Sequence, residues 1–265
     1  MRIWWQSFVD PAQNGPYLAC LDRYLERAAD PGTTVEVHGL TPGDRHFGRL
    51  TELRCAALAV HNALEADGRG CDAFVFGHFQ DPGLYEARSA VAIPVLGLGE
   101  TSLHWAAQLG RNIGLVTIDR AFERWHLEQA DLYGLGARVS HVAALDADVE
   151  DFAGAFDGEE DAAASMLVRL RRLAQPMVDG GADVIVPAGA LPSLLVRNER
   201  GLAVSGAPVV NAVAVTLKAT EAWVRVRELT GLEPSRRSSF TLAPPGAIED
   251  FRALLSNRPG RRDRT

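Results

Sequence analysis

The chain has 265 residues, of which 47% are hydrophobic and 23% charged, and its net charge at pH 7 is -7. This acidic balance argues against a nucleic-acid partner, because phosphate binding needs clustered Lys and Arg side chains. No apolar run approaches the ~20 residues that cross a bilayer, and the N-terminus lacks the order of a signal peptide, so we expect no membrane segment and a cytoplasmic location.

Short β-branched or aromatic runs alternate with longer amphipathic stretches, which predicts parallel strands joined by crossover helices. The predicted strands cover residues 2–7, 34–38, 72–77, 93–97, 112–117, 138–142, 183–187 and 208–211. The predicted helices cover residues 17–28, 50–66, 102–108, 121–133, 162–178, 192–199, 212–229 and 247–255. The eight strands divide into two groups of four.

The helix predicted at 50–66 carries a regular apolar pattern. Leu50, Leu53 and Val60 recur at helical spacing, so this face is predicted to lie on a sheet. Glu52 and Arg54 fall outside that stripe and are predicted to face water.

Two segments about 110 residues apart resemble each other, at residues 70–78 and 181–189. Each runs from a glycine through an apolar strand into a loop, and His78 and Gly189 take equivalent positions at the two ends. This repeat predicts two pseudo-symmetric, Rossmann-like α/β domains, each with a four-stranded parallel sheet and with the active site in the cleft between them. His78 is predicted on one wall of that cleft, and only backbone on the other.

The predicted first domain comprises residues 1–101 plus 212–240, and the second comprises residues 102–211. Residues 241–265 are predicted to form a C-terminal wrap that ends in a loose tail. The tail holds a basic cluster, which we interpret as frayed and solvated: Arg258, Arg261, Arg262 and Arg264.

Ligands of open parallel sheets bind beyond the carboxyl ends of the strands, and this rule selects the candidate site. His78 is the predicted catalytic residue, because imidazole transfers protons near neutrality. The residues predicted to bind substrate are Gln6, Ser7, Phe79, Gln80, Thr117, Gly189, Ala190 and Asn211. Structural roles remain as alternatives, namely helix capping by the hydroxyls, loop bridging by the amides and a plain turn at the glycine.

No metal site is predicted, because His104 and His126 lie on predicted helices without a second ligand at metal spacing. The three cysteines form no CxxC pair and are predicted to be structural. Asp81 is predicted to cap a helix that begins at Pro82.

Several segments resemble the aspartate/glutamate racemase superfamily, and within it the hydantoin racemase branch. They are RIWWQSF at 2–8, FQDPGLYEAR at 79–88, IPVLGLGE at 93–100, IGLVT at 113–117 and GADVIV at 181–186. The resemblance covers residues 2 to about 240. It implies a site between two α/β domains, no cofactor, and a small carboxylate or cyclic amide as ligand. Racemases of the family place a cysteine after the third strand of each half, whereas this chain has His78 and Gly189.

These observations predict a cofactor-independent enzyme that moves a proton at a carbon next to a carboxylate or carbonyl, with His78 as its single base. A lyase, decarboxylase or tautomerase fits one base. One alternative is a hydantoin or amino-acid racemase with a second acid recruited from Glu100, His104 or His126. Another is a binding protein without chemistry. The sequence is compatible with a homo-oligomer. Cysteines placed at both 78 and 189 are expected to restore a facing pair of thiols.

Overall fold

A computed structural model describes residues 1–44, 46–147, 150–157 and 159–256. The first sheet is parallel, with the strand order β2-β1-β3-β4. Its strands are β1 (Arg2–Gln6), β2 (Thr34–His38), β3 (Ala73–Phe76) and β4 (Val95–Gly97). Gln6 pairs with Phe76, so β1 and β3 end side by side and their following loops meet at one edge.

The second sheet is also parallel, with the order β6-β5-β7. Its strands are β5 (Ile113–Thr117), β6 (Val139–Ala144) and β7 (Val184–Ala188). Thr117 pairs with Ala188, so β5 and β7 end together, as β1 and β3 do in the first sheet. The predicted α/β fold with two parallel sheets is confirmed.

The four-strand prediction for the second sheet is wrong, because residues 208–211 add only one parallel bridge, between Val209 and Ile185. The preceding residues turn back as an antiparallel hairpin of β8 (Ala203–Val204) and β9 (Ala207–Pro208). Pro208 has no N–H to donate to a ladder, and this limits pairing at that edge. The second sheet therefore has three strands.

Ten α-helices flank the sheets within the described residues. They are α1 (Gly15–Ala28), α2 (Arg49–Gly68), α3 (Leu84–Ala90), α4 (Leu98–Leu109), α5 (Glu123–Leu132), α6 (Ala153–Asp157), α7 (Glu160–Asp179), α8 (Ala190–Leu195), α9 (Ala212–Thr230) and α10 (Pro245–Ser256). Short 3-10 turns cover Arg120–Phe122, Glu150–Phe152 and Ser238–Phe240. Each of the eight predicted ranges has a counterpart. The helix α3 corresponds to the one expected after Asp81, and α6 was not predicted.

The buried face of α2 differs from the predicted one. Leu50 and Leu53 are exposed, at 82% and 68%, whereas Glu52 is 2% exposed and lies among buried residues of the same helix such as Cys55 and Ala59. The face of α2 that turns inward is the one that carries small residues such as Cys55 and Ala59. A buried carboxylate is thereby brought to the carboxyl edge of the first sheet.

The hydrophobic core runs through both halves. One cluster joins Trp5 and Phe79 from the first half to Val116 and Ile185 from the second, and Leu217 of α9 belongs to it. A smaller cluster lies between the first sheet, α2 and α3. No helix in the described ranges is long and apolar enough to cross a membrane. The predicted basic tail lies outside the described residues.

Candidate active site

A cavity of about 50 Å³ lies where the carboxyl ends of the two sheets approach each other. Loops after β1, β3, β5 and β7 contribute to it, together with α1, α8 and the segment before α2. The lining residues are Ser7, Phe8, Val9, Tyr17, Asp44, Phe47, Gly77, His78, Phe79, Gln80, Ile118, Ala188, Gly189, Ala190, Leu191 and Pro192. His78 and Gly189 thus share one cavity, as the internal repeat predicts.

Six predicted site residues line this cavity, and three do not. Those in the lining are Ser7, His78, Phe79, Gln80, Gly189 and Ala190. Gln80 makes no side-chain hydrogen bond to the part of the chain that the structure describes, so its amide remains available to a ligand. Those outside the lining are Gln6, Thr117 and Asn211, whose polar groups already have protein partners.

Gln6 is fully buried, and its amide joins strands rather than facing the cavity. Its Nε2 donates to the backbone carbonyls of His38 at 3.1 Å and Gly39 at 3.2 Å. Its Oε1 accepts from Trp4 Nε1 at 3.1 Å and from Asn62 Nδ2 at 2.8 Å. These contacts fit the alternative reading of Gln6, in which its amide bridges two loops.

Thr117 and Asn211 also serve the fold. Thr117 is fully buried, and its Oγ1 lies 2.9 Å from His126 Nε2. Asn211 Oδ1 accepts a hydrogen bond from Ala214 N at 3.0 Å and caps α9. These partners fit the structural alternatives, because capping satisfies a free helix N–H group and the Thr117 hydroxyl is held by a histidine, and the two substrate contacts stay predictions.

His78 makes a close contact with two carboxylates. Its Nε2 lies 2.7 Å from Glu52 Oε1 and 3.9 Å from Asp44 Oδ2, and its ring stacks on Phe8 with centroids 4.6 Å apart. Burial lowers the pKa of His78, but the nearby carboxylates of Glu52, Asp44 and Asp81 outweigh it and raise the pKa above its ordinary value. This histidine is a stronger base than a free imidazole.

Gly77 brings the His78 loop close to β1. A Cβ at this position would lie 2.2 Å from Trp5 Nε1 and 2.9 Å from the Gln6 carbonyl oxygen. Any side chain would push the loop away from the strand and displace the imidazole that follows.

Asp44 and Glu52 are buried, with 4% and 2% of their side chains exposed. Both oxygens of Asp44 and Oε2 of Glu52 have no hydrogen-bond partner among the described residues. Burial raises the pKa of Asp44, an effect that His78 opposes and Glu52 reinforces. Ligand atoms of Asp44, Glu52 and His78 all lie within 4.8 Å of one another, so these are the residues that could hold a cation.

The opposite wall consists of backbone and apolar side chains. Gly189 has φ +151°, and a Cβ there would meet Pro192 Cδ at 3.0 Å. Its N–H donates to the Pro187 carbonyl at 3.0 Å, which removes it as a donor to substrate. Ala190 and Leu191 begin α8, and their N–H groups have no intrahelical acceptor because of their position.

The second acids proposed from the sequence lie elsewhere. Glu100 pairs with Arg88, His104 is exposed on α4, and His126 is buried in contact with Thr117 and Gln129. Burial lowers the pKa of His126 to about 4.

Tyr17 is the remaining titratable side chain in the cavity lining besides Asp44 and His78. Burial raises the pKa of Tyr17 to about 12, so the phenol stays neutral at physiological pH. The buried cysteines at 20, 55 and 71 do not line the cavity.

Asp81 lies near this site but belongs to the framework. Its carboxylate accepts from Gly99 N at 3.0 Å, Glu100 N at 2.7 Å and Tyr133 Oη at 2.8 Å. It therefore caps α4, and the prediction that it caps the next helix is wrong, since α3 begins at Leu84. Burial raises the pKa of Asp81 to about 7, although the two backbone donors act in the opposite direction.

The sequence profile of the family described as Asp/Glu/Hydantoin racemase matches residues 9–220. The chain belongs to this racemase family. A hydantoin racemase of Pseudomonas sp. (strain NS671) is 25% identical over 192 residues, which cover 72% of this chain and 74% of that protein. The resemblance seen in the sequence is confirmed.

Solved allantoin racemases share the fold. The Klebsiella pneumoniae protein aligns with a TM-score of 0.74 at 21% identity, covering 92% of this chain and 94% of that one. The Pseudomonas fluorescens protein aligns with a TM-score of 0.73 at 23% identity, covering 92% of this chain and 98% of that one. Racemases of this family are isomerases.

Proposed function

We propose that the protein is a cofactor-independent enzyme that transfers a proton at a carbon next to a carbonyl, on one face of a small neutral ring amide. The observation that carries this proposal is the His78–Glu52 contact of 2.7 Å beside a cavity whose opposite wall offers no carboxylate, imidazole or thiol among the described residues. One wall therefore supplies the base.

His78 would act as that base. Its Nε2 is held by Glu52, and its Nδ1 makes no hydrogen bond to any residue in the described ranges, which leaves this nitrogen for the substrate. As the imidazole takes the proton, Glu52 and Asp44 stabilise the imidazolium that forms. A correctly placed base contributes ~10²–10⁴-fold to such a rate.

The negative charge that develops on the carbonyl oxygen needs donors. Ser7 Oγ is buried, lines the cavity and lies within hydrogen-bond reach of the Tyr17 hydroxyl, so a substrate oxygen would compete with that phenol for the serine proton. The first N–H groups of α8, at Ala190 and Leu191, face the same cavity. Preorganised donors of this kind stabilise an enolate-like oxygen without reorganising during the reaction.

The charge of the lining selects the substrate class. None of the described lining residues is Lys or Arg, while Asp44 contributes a carboxyl group. An anionic substrate would lose its hydration beside the Asp44 carboxyl group without gaining a Lys or Arg partner, whereas a neutral cyclic amide loses far less. The cavity of about 50 Å³ is small, and this also favours a small ligand. The relatives named hydantoin racemase and allantoin racemase support a cyclic ureide as the substrate.

The same charge argument separates the reaction types. Decarboxylation starts from an anionic substrate, for which the described lining offers no Lys or Arg side chain. Proton exchange or tautomerisation of a neutral ring requires only the base and the oxyanion donors described above. We therefore place one-face proton transfer of the tautomerase type before a decarboxylase or another lyase.

A racemase with Tyr17 as its second acid is a second candidate, favoured by the presence of this phenol in the same cavity. Its pKa of about 12 suits proton donation. Racemisation in the reverse direction would need the phenolate as base, and little phenolate forms near neutral pH. This candidate therefore ranks below one-face transfer.

The test is deuterium incorporation from heavy water into 5-substituted hydantoins, followed by NMR. Wild type should label the carbon beside the carbonyl, and His78→Asn should lower the rate at least 100-fold while the fold is kept. Cys20→Ser, a buried change outside the cavity lining, should retain the wild-type rate. Unchanged exchange in His78→Asn, within about threefold, would rule out the base role. Tight binding of hydantoins without any exchange would instead identify a binding protein.

A further inference from the structure

Three side chains at the cavity edge have the composition of a metal site. His78 Nε2, Asp44 Oδ2 and Glu52 Oε1 come from three separate segments, the loop after β3, the loop before α2, and α2 itself. Their ligand atoms lie within 4.8 Å of one another. One imidazole with two carboxylates is a donor set that first-row divalent ions such as Zn²⁺ and Mn²⁺ accept.

A second observation is independent of that composition. Asp44 Oδ1, Asp44 Oδ2 and Glu52 Oε2 are buried and have no hydrogen-bond donor among the described residues. Buried polar atoms are almost always paired, and an unpaired buried carboxylate is costly. The neighbouring cation, Arg54, donates to the carbonyls of Pro42 at 2.7 Å and Gly43 at 2.8 Å, and to neither carboxylate.

Charge and space point the same way. Once an ion displaces the proton from Nε2 of His78, the two carboxylates and the imidazole carry a charge of -2 in a buried position, which one divalent ion neutralises. Asp44 and His78 line the cavity, so a fourth coordination position would open toward it. Glu52 also lines a groove of about 520 Å³ between α2, α3 and α10.

We propose that Asp44, Glu52 and His78 bind one divalent first-row transition-metal ion, with its open coordination position facing the cavity. A tetrahedral Zn²⁺ with bonds of 2.0–2.2 Å sets its ligand atoms roughly 3.4 Å apart. The observed separations from Nε2, 2.7 Å to Glu52 and 3.9 Å to Asp44, lie on either side of that value. Side-chain adjustments of about half an ångström complete the site.

This inference goes beyond the proposed function. The ion would replace the proton that Nε2 of His78 shares with Glu52, so metal-bound and metal-free protein are two states of the same three side chains. Metal binding is measured without substrate, and its failure leaves the proposed function unaffected. Conversely, a protein that binds the ion but exchanges no substrate proton contradicts the proposed function and supports the metal site.

The experiment is calorimetric titration of the EDTA-treated, dialysed full chain with Zn²⁺, and with Mg²⁺ for comparison. Wild type should bind one Zn²⁺ per chain, more tightly than Mg²⁺, because imidazole is a poor ligand for Mg²⁺. Asp44→Asn and Glu52→Gln should each weaken Zn²⁺ binding at least tenfold. Glu86→Gln, which removes an exposed carboxylate from the neighbouring groove, should bind as wild type does.

Wild type alone suffices to overturn the proposal if a variant fails to fold. Saturation with Co²⁺ should produce the visible absorption of a four-coordinate ion, with one nitrogen ligand resolved by X-ray absorption. No stoichiometric Zn²⁺ binding to wild type would overturn the proposal. Binding that Asp44→Asn and Glu52→Gln leave unchanged in folded protein would do the same.

Discussion

The environment of His78 determines the pH range in which this residue accepts a proton. Burial would hold the imidazole neutral down to low pH, but three carboxylates around it raise its pKa above the ordinary value. Glu52 has the largest share of that effect through both its charge and its hydrogen bond. A general base is unprotonated only above its pKa. Activity is therefore expected to rise as the pH passes through the raised pKa of His78.

Replacing Glu52 with Gln removes the charge that raises the pKa of His78. The deprotonated base then persists to lower pH, and the acidic limb of kcat/KM should shift to lower pH. The profile is measured on EDTA-treated protein with a neutral hydantoin. Asp72→Asn, which removes a carboxylate at the far end of the sheet, should leave the limb in place. An upward shift in Glu52→Gln would contradict the assignment of His78 as base.

Replacing Ser7 with Ala separates catalysis from stability. The Ser7 hydroxyl is buried and lies beside the Tyr17 hydroxyl, so its removal costs no more than this weak contact. We expect the free energy of unfolding in urea to change by less than about 1 kcal/mol. Loss of one oxyanion donor should lower kcat for deuterium exchange by about 10²–10³-fold. A normal kcat in this variant would show that the hydroxyl does not meet the developing charge.

The sequence indicates only part of the site at the residue scale. His78 and Gly189 emerge from the internal repeat, because equivalent loops of equivalent halves face each other. Asp44 and Glu52 escape notice because their roles depend on how a loop and a helix turn relative to the sheet. The apolar spacing at Leu50 suggests the opposite face of α2, and only packing shows that the smaller residues lie inward.

At the scale of secondary-structure elements, Asp81 connects the His78 loop to α4. Its carboxylate accepts two helix N–H groups and the Tyr133 hydroxyl within a buried position. Gly97 is necessary to this contact, since a Cβ there would lie 2.5 Å from the Asp81 carboxyl carbon. The loop that ends β3 is thereby attached to the start of α4, which fixes the position of His78.

Asp81→Ala should therefore destabilise the fold by about 3 kcal/mol, because it leaves buried donors unpaired. Urea unfolding followed by circular dichroism measures the change. Glu86→Ala, an exposed substitution on α3, should stay within about 0.5 kcal/mol of wild type. A loss below about 1 kcal/mol for Asp81→Ala would mean that α4 holds the loop without this carboxylate.

The backbone conformation at Gly189, just before α8, disfavours a side chain at the position of the family's second cysteine. Gly189 has φ +151°, a conformation that side chains rarely adopt, and Pro192 lies 3.0 Å from the position of an added Cβ. The expectation that cysteines at 78 and 189 restore a thiol pair therefore needs correction. Strain of about 1–3 kcal/mol opposes the second thiol.

The double variant His78→Cys, Gly189→Cys is accordingly expected to unfold more easily than His78→Cys alone, and to gain no racemase activity. Thermal unfolding and polarimetry of a hydantoin solution measure the two properties. His78→Cys alone serves as the matched control. Racemisation by the double variant, at unchanged stability, would show that the loop accommodates a side chain.

On the scale of the whole molecule, the two halves keep the repeat that the sequence displays but differ in detail. Alternating strand and helix patterns are local, and they indicate both parallel sheets correctly. The hydrophobic pattern predicts a fourth strand in the second sheet, but the structure has only one parallel bridge there. Pro208 has no N–H to donate at this edge, and the pattern does not show this. Gln6 and Asn211 show the same limit, since position at a strand end does not decide whether a side chain faces the cavity.

We propose that proton transfer in this fold uses a base on one side of the cavity only, at His78. The most direct measurement follows a single enantiomer of a 5-substituted hydantoin in heavy water, with deuterium content and optical purity recorded in the same samples. A sample without enzyme corrects for spontaneous exchange. We expect enzyme-dependent deuterium incorporation at least tenfold faster than loss of optical purity. Equal rates for the two, abolished by Tyr17→Phe, would contradict it and identify a second acid on the opposite face.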